Sequence, residues 1–186
     1  MERVAAVQKI AKGTLYLYFP GKQDLFLACV DWGMAEMQRV VEEASRQETD
    51  PFRKIARSIR AYLEFFDNHP HSVELLIQER AMFRDRKRGA YFEHRDELRD
   101  DFRSIYESLV TQGVFRSDLP LDRLLDSVGA LLYGTMLFNN SVGRTISLDE
   151  QYQAVMSTAF GGIVTATGRE SLTQITSTES RPRERG

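Results

Sequence analysis

The sequence predicts an all-α fold, and three observations carry that prediction. Apolar residues recur three and four apart over most of the 186 residues, the period of a helix with one buried face. Helix-start and helix-stop signals punctuate the runs, among them Asp50-Pro51, Asp67-Asn68-His69-Pro70, and Ser147 with Glu150 three residues on. No stretch of useful length alternates apolar and polar residues as a half-buried strand does, and no internal repeat is present.

The length suits one domain of ordinary size, or a small module attached to a larger one. Hydrophobic content of 42% supplies a core, and a net charge of −2 argues against a generic polyanion binder. The sign is uneven. Residues 1–22 carry Arg3, Lys9, Lys12 and Lys22 against Glu2, a net +3, which leaves −5 for the rest. A basic end on a mildly acidic body suits a localised nucleic-acid contact. No apolar run reaches the ~18 residues of a membrane helix, and the N-terminus lacks a signal-peptide core. Cys29 is the single cysteine, so an intramolecular disulfide is excluded and a small core residue is expected. A cytoplasmic protein without a membrane partner is the expectation.

In order along the chain, residues 1–11 read as a short helix and a turn, with Val4, Ala5 and Val7 inward and Ile10 closing the turn. A second short helix follows from Lys12 and is stopped by Pro20, which lacks an N–H and disfavours helical geometry just before it. Gly21 caps a long helix from Lys22 to about Gln47, with Asp24 in its first turn and Leu25, Phe26, Cys29, Trp32, Met37, Val40 and Val41 at helical spacing. Asp50 as N-cap and Pro51 at the first helical position open the next helix, whose buried stripe is Phe52, Ile55, Ile59, Tyr62, Leu63 and Phe66. A further helix covers about His71 to Phe83. The charged run from Arg84 to Gly89 reads as a solvated loop rather than a nucleic-acid patch. One helix is expected from Tyr91 to Gln112, with Leu98, Phe102, Ile105, Tyr106 and Leu109 inward and Gly113 as its cap. Two apolar helices follow, Leu121 to Phe138 and Leu148 to Val164, the second opened by a capping box at Ser147. Both are apolar around more than one face, which implies a partner. From Arg169 the chain turns polar and is expected to be disordered.

The stretch Lys12-Gly13-Thr14-Leu15-Tyr16-Leu17-Tyr18-Phe19-Pro20-Gly21-Lys22 divides by helical spacing. Leu15 and Phe19 share an apolar face; Thr14, Leu17 and Tyr18 share another, bracketed by Lys12 and Lys22. Such a helix suits insertion into a DNA major groove. Residues Ala11 to Phe26, AKGTLYLYFPGKQDLF, resemble the recognition helix and the start of the following helix in the TetR family of bacterial transcriptional regulators. The motif covers Val4–Phe26, and helix order extends the likeness to about Thr167. The resemblance implies an all-α protein with a helix-turn-helix at residues 1–24, a ligand-binding and dimerisation body at 25–167, and a tail at 168–186. Family members carry one more helix ahead of this point, so the helix-turn-helix is expected to be incomplete, with Leu15 and Phe19 short of a packing partner. In the turn, Gln8 and Lys9 stand where the family usually has a small residue and a glycine.

The resemblance also implies roles. Thr14, Tyr16 and Tyr18 would donate hydroxyls to phosphates, and Lys22 would pair with another at a helix N-terminus. Lys12 would reach a guanine edge, Gly13 would admit the backbone to the groove, and Leu17 would touch a thymine methyl. The alternative for Tyr16 or Leu17 is internal packing. Implied partners are a pseudo-palindromic double-stranded operator, a second copy through the last two helices, and a small apolar or amphipathic effector. Candidate effector contacts are Tyr62, Phe66, Gln78, Phe83, Phe102, Tyr106 and Tyr133, with Glu79 and Asn139 as polar aids; packing in the core is the alternative for each aromatic. His69, His71 and His94 read as surface histidines rather than metal ligands. No nucleophile–base grouping, phosphate loop or dinucleotide fingerprint is present, so no catalytic role and no cofactor is expected. Acidic residues are expected to pair with arginines along their own helices, as from Asp96 to Arg103. The whole describes a ligand-responsive repressor. Its rival is a dimeric small-molecule-binding or interaction protein that no longer binds DNA.

Overall fold

The computed structural model describes residues 1–143 and 146–179, without the side chains of 177–179. The described residues form ten helices and no strand: α1 (Glu2–Val7), α2 (Lys12–Tyr18), α3 (Lys22–Arg46), α4 (Pro51–Asn68), α5 (Pro70–Met82), α6 (Ala90–Glu97), α7 (Arg99–Thr111), α8 (Leu121–Val142), α9 (Leu148–Phe160) and α10 (Ala166–Glu179). No described helix is long and apolar enough to cross a membrane.

α4 is the hub. The Asp50 carboxylate accepts from the Arg53 N–H at 2.8 Å, with Pro51 at the first position, so the helix start is fixed as its sequence demands. Its stripe from Phe52 to Phe66 is buried, and α3, α5, α7, α8, α9 and α10 all pack against it. At one end Phe52 meets Phe115 and Phe160 edge-on, with ring centroids 5.3 and 5.7 Å apart, and Tyr106 adds a fourth ring 5.5 Å from Phe115. The capping box at Ser147 and Glu150 forms as expected.

α1 and α2 pack mainly on each other. Their buried residues are Ala5 and Leu15, set apart from the main core. Leu15 is thus covered, whereas Val4 and Val7 face solvent instead of inward. The turn between the two helices is closed by the Lys9 N–H on Ala6 O (3.2 Å) and the Ile10 N–H on Ala5 O (3.0 Å), a C-terminal motif that needs its middle residue left-handed. That residue is Lys9, at φ 54°, the one non-glycine among the described residues with positive φ. The same motif ends α7, where Gly113 takes φ 72° without a β-carbon to strain. Lys9→Gly is therefore expected to stabilise this end by about 1 kcal/mol. Slower amide exchange in α1 and α2 would show it; unchanged or faster exchange would mean that the turn is not strained.

Several sequence expectations give way. Cys29 and Trp32 lie on the outer face of α3, with Trp32 72% exposed; α3 buries Val30, Met34, Met37 and Val41 instead. The expected helix from Tyr91 to Gln112 is two helices that meet at Leu98. α8 runs on to Val142, and α9 stops at Phe160 rather than Val164. The chain after Arg169 is helical through Glu179 in α10, anchored by buried Ile175 with Leu172 packed on the core; 180–186 fall outside the described residues.

A two-residue antiparallel bridge, Phe115 with Val164, joins the connection before α8 to that after α9. The Arg116 N–H donates to Ile163 O and the Thr165 N–H to Val114 O, at 3.1 and 3.0 Å. Gly168 lies so close beneath that a β-carbon there would stand 2.5 Å from Val114 O. Gly168→Ala should therefore cost about 1–3 kcal/mol by overpacking against backbone that cannot yield, measured as a lowered thermal midpoint; an unchanged midpoint would mean that the strand bridge tolerates displacement.

Candidate functional site

Two places on the fold can do chemistry of recognition. The first is the outer face of α2. With Leu15 buried and Phe19 half-buried, the seven-residue helix turns Tyr16, Leu17 and Tyr18 outward. Leu17 is 83% and Tyr18 75% exposed, unusual for such side chains unless a partner covers them. The internal-packing alternative, weighed for Tyr16 and Leu17, meets an exposed side chain at each. Tyr16 is 44% exposed, Thr14 half-buried, and a β-carbon at Gly13 would meet nothing within 4 Å. Lys22 is exposed where α3 begins. Lys12 is also exposed, but its ammonium contacts Glu2 of α1 at 2.6 Å, and that hydrogen bond raises its pKa. An exposed pair of this kind is weak, so a phosphate or base edge can take the lysine.

The second place is a cavity of about 800 Å³, open mouth included, walled by α3, α4, α6, α7 and α8. Its lining is overwhelmingly apolar. Tyr62, Phe102 and Tyr106 from the expected effector contacts are in it. Phe66 is not; it lines a neighbouring cleft with Asn139, and Tyr62 borders both. Phe83 stacks on Phe26 at 5.9 Å. Tyr133 leans on Tyr91 at 4.6 Å without reaching the lining. Gln78 is exposed on the surface. Asn139 is engaged amide to amide with Gln151 at 2.6 and 3.0 Å. Glu79 is buried as a clasp that accepts from Arg86 (2.6 Å) and from the Ala90 N–H at the start of α6 (3.1 Å). The charged loop is thus tied down by Arg86 rather than merely solvated.

Sequence reasoning missed four of the cavity's six polar groups, Ser58, Tyr91, Arg95 and Arg99. The Tyr91 hydroxyl lies 3.0 Å from that of Tyr62, and burial pushes the Tyr91 phenol up to about 12. Burial also drives Tyr62 well up, and it alone raises Tyr106, so all three stay neutral hydroxyls. Ser58 is 3% exposed, and its hydroxyl has no hydrogen-bond partner among the described residues. A serine set between Ile55 and Ile59 on an otherwise apolar stripe was the available signal. Arg95 and Arg99 flank the helix break at Leu98 and are the charged residues in the lining, among the described residues. Arg99 donates to Asp126 at 2.8 Å and Asp122 at 3.1 Å on α8, which raises its pKa. Arg103 also pairs with Asp122. The arginines of α7 therefore reach across to another helix, not along their own as expected. His94 is largely covered rather than at the surface. Its ring nitrogens lie 2.9 Å from Asp31 and 2.9 Å from Gln38, which ties α6 to α3.

Comparison with known proteins follows the same division. A family model for TetR-family bacterial regulatory proteins matches residues 1–29, and one for the tetracycline repressor-like C-terminal domain matches 48–129. The uncharacterized HTH-type transcriptional regulator YhgD of Bacillus subtilis is 30% identical over 81 residues, 44% of this chain. The match spans only 42% of that relative's length. Among solved structures, the ketosteroid transcriptional regulator KstR2 of Mycobacterium tuberculosis superposes with a TM-score of 0.65 at 17% identity, covering 87% of this chain and 83% of that one. A TetR-like regulator from Rhodococcus sp. RHA1 gives 0.65 at 21%, covering 87% and 82%. The Thermus thermophilus FadR, a TetR-family repressor in complex with lauroyl-CoA, gives 0.55 at 19%, covering 87% and 83%. At such identities the likeness is one of fold.

Proposed function

Because the chain belongs to the TetR family of bacterial transcriptional regulators, we propose that it is a ligand-responsive repressor that binds a pseudo-palindromic operator as a homodimer. One α2 from each subunit enters the major groove of each half-site. The observation that carries this is the outward Leu17–Tyr18 face on a helix whose opposite side is held by buried Leu15. Leu17 supplies an apolar touch for a thymine methyl; Thr14, Tyr16, Tyr18, Lys12 and Lys22 supply phosphate and base-edge contacts, and open Gly13 allows close approach.

The dimer forms through α8 and α9. Phe138 and Val142 stand 66% and 61% exposed near the end of α8, an apolar surface that a second copy would cover. The effector enters the cavity behind α3, and residues 1–24 read DNA while 25–167 bind ligand and partner. α3 is the mechanical link: 25 residues, about 37 Å at 1.5 Å per residue, begin at the DNA-reading end and run along the cavity wall through Met37 and Val41. An occupant that favours one placement of α3 shifts the spacing of the two heads, and so operator affinity.

The test is fluorescence anisotropy on the DNA just upstream of its own gene, against a scrambled duplex, over a salt series. Specific binding that falls steeply with salt is expected. Equal binding to both duplexes, or none to either, rejects the regulator reading.

A further inference from the structure

This inference rests on the cavity being the effector site and names what it takes. An occupant must offer apolar bulk to the walls, since the lining is mostly Ile, Val, Leu, Met and aromatic side chains. The Ser58 hydroxyl, buried, part of the lining and without a partner among the described residues, is one further hydrogen-bonding group that an occupant can use. The remaining demand is charge. Arg95 and Arg99 have side chains about three-quarters covered, at 29% and 26% exposure. Their carboxylate partners Asp96, Asp122 and Asp126 do not line the cavity. Each guanidinium carries five N–H donors, and the carboxylates occupy only part of them. Arg95 uses Nε and Nη2 on Asp96 at 3.2 and 2.8 Å. Its Nη1 makes neither bond and lies over Gly129 of α8, where a β-carbon would stand 3.6 Å away. Arg99 uses Nη1 and Nη2 on Asp126 and Asp122, and Nε is left over.

We infer that the cavity binds an amphipathic anion, its aliphatic chain among the walls of α4, α7 and α8 and its carboxylate or phosphate head on the spare donors of Arg95 and Arg99. Charged N–H donors of this kind suit anionic heads. The two arginines stand on either side of the α6–α7 break, so one head contacts the end of α6 and the start of α7 together. α6 is the helix that His94 ties to Asp31 and Gln38 of α3.

The test is calorimetric titration of the whole protein with four ten-carbon probes: decanoate, decyl phosphate, 1-decanol and decyltrimethylammonium. At least one anion should bind about tenfold or more tighter than decanol, and the cation more weakly than either; which anion wins identifies the head. Arg95→Gln and Arg99→Gln should each remove most of the anion's advantage, while Arg99→Lys, which keeps the charge and guards against mere loss of the α7–α8 contact, should retain much of it. Decanol equal to both anions, or a preference that survives both glutamines, overturns the head-group assignment and leaves the cavity reading standing. If no probe binds, both fall.

Discussion

Leu17→Glu is expected to lower operator affinity at least a hundredfold and leave the fold untouched. The side chain is 83% exposed, so its replacement removes no core packing and its thermal midpoint should match the parent's. In the groove, however, a carboxylate would face phosphates and base-edge acceptors from the centre of the α2 reading face. Like-charge juxtaposition costs several kcal/mol at an interface. Leu17→Ala separates the parts: it gives up the methyl contact alone, about 1 kcal/mol, and should weaken binding several-fold. Anisotropy with the specific and scrambled duplexes reads both. Full binding by the glutamate variant would mean that some other surface reads the DNA.

The largest loss of stability is expected from Phe52→Ala. Phe52 is 2% exposed at the start of the hub helix, in edge contact with Phe115 and Phe160. Those two rings come from the segment before α8 and the end of α9, so the deletion opens a hole where three parts of the chain converge. A buried phenylalanine cut to alanine costs about 3–5 kcal/mol, which for a chain of this size lowers the midpoint by roughly 10 °C. Phe52→Leu keeps most of the volume and should cost less than about 1.5 kcal/mol. A loss below about 1 kcal/mol for the alanine variant would show that the aromatic cluster collapses freely and is not the keystone its geometry suggests.

What could be read in advance follows from where the information resides. α4 was legible from end to end because Asp50-Pro51 and His69-Pro70 are local signals and Phe52 to Phe66 keep a strong helical period. α2 was legible through a motif. The break at Leu98 was not: Leu98 sits at φ −80°, ψ −11°, still near helical geometry, with no proline or glycine to announce it. Which face of α3 turns outward depends on how it lies across α4, α5 and α6, so Trp32 and Cys29 were placed inside by spacing alone. α10 was missed because Ser and Thr dominate its composition, and only Leu172 and Ile175, three apart, anchor it. The cavity was half legible. Aromatic stripes named Tyr62, Phe102 and Tyr106, but its charged residues Arg95 and Arg99 come from α6 and α7 on either side of the break at Leu98, which no local pattern encodes.

The exposure of Cys29 has a practical consequence. It is the sole cysteine of the chain, it is exposed, and it stands on α3 two turns from the start of that helix. A nitroxide or dye attached there needs no engineered site and displaces nothing in the core. In a dimer the two labels would form a molecular ruler between the heads. Pulsed dipolar spectroscopy could then follow that separation directly as an effector or an operator is added.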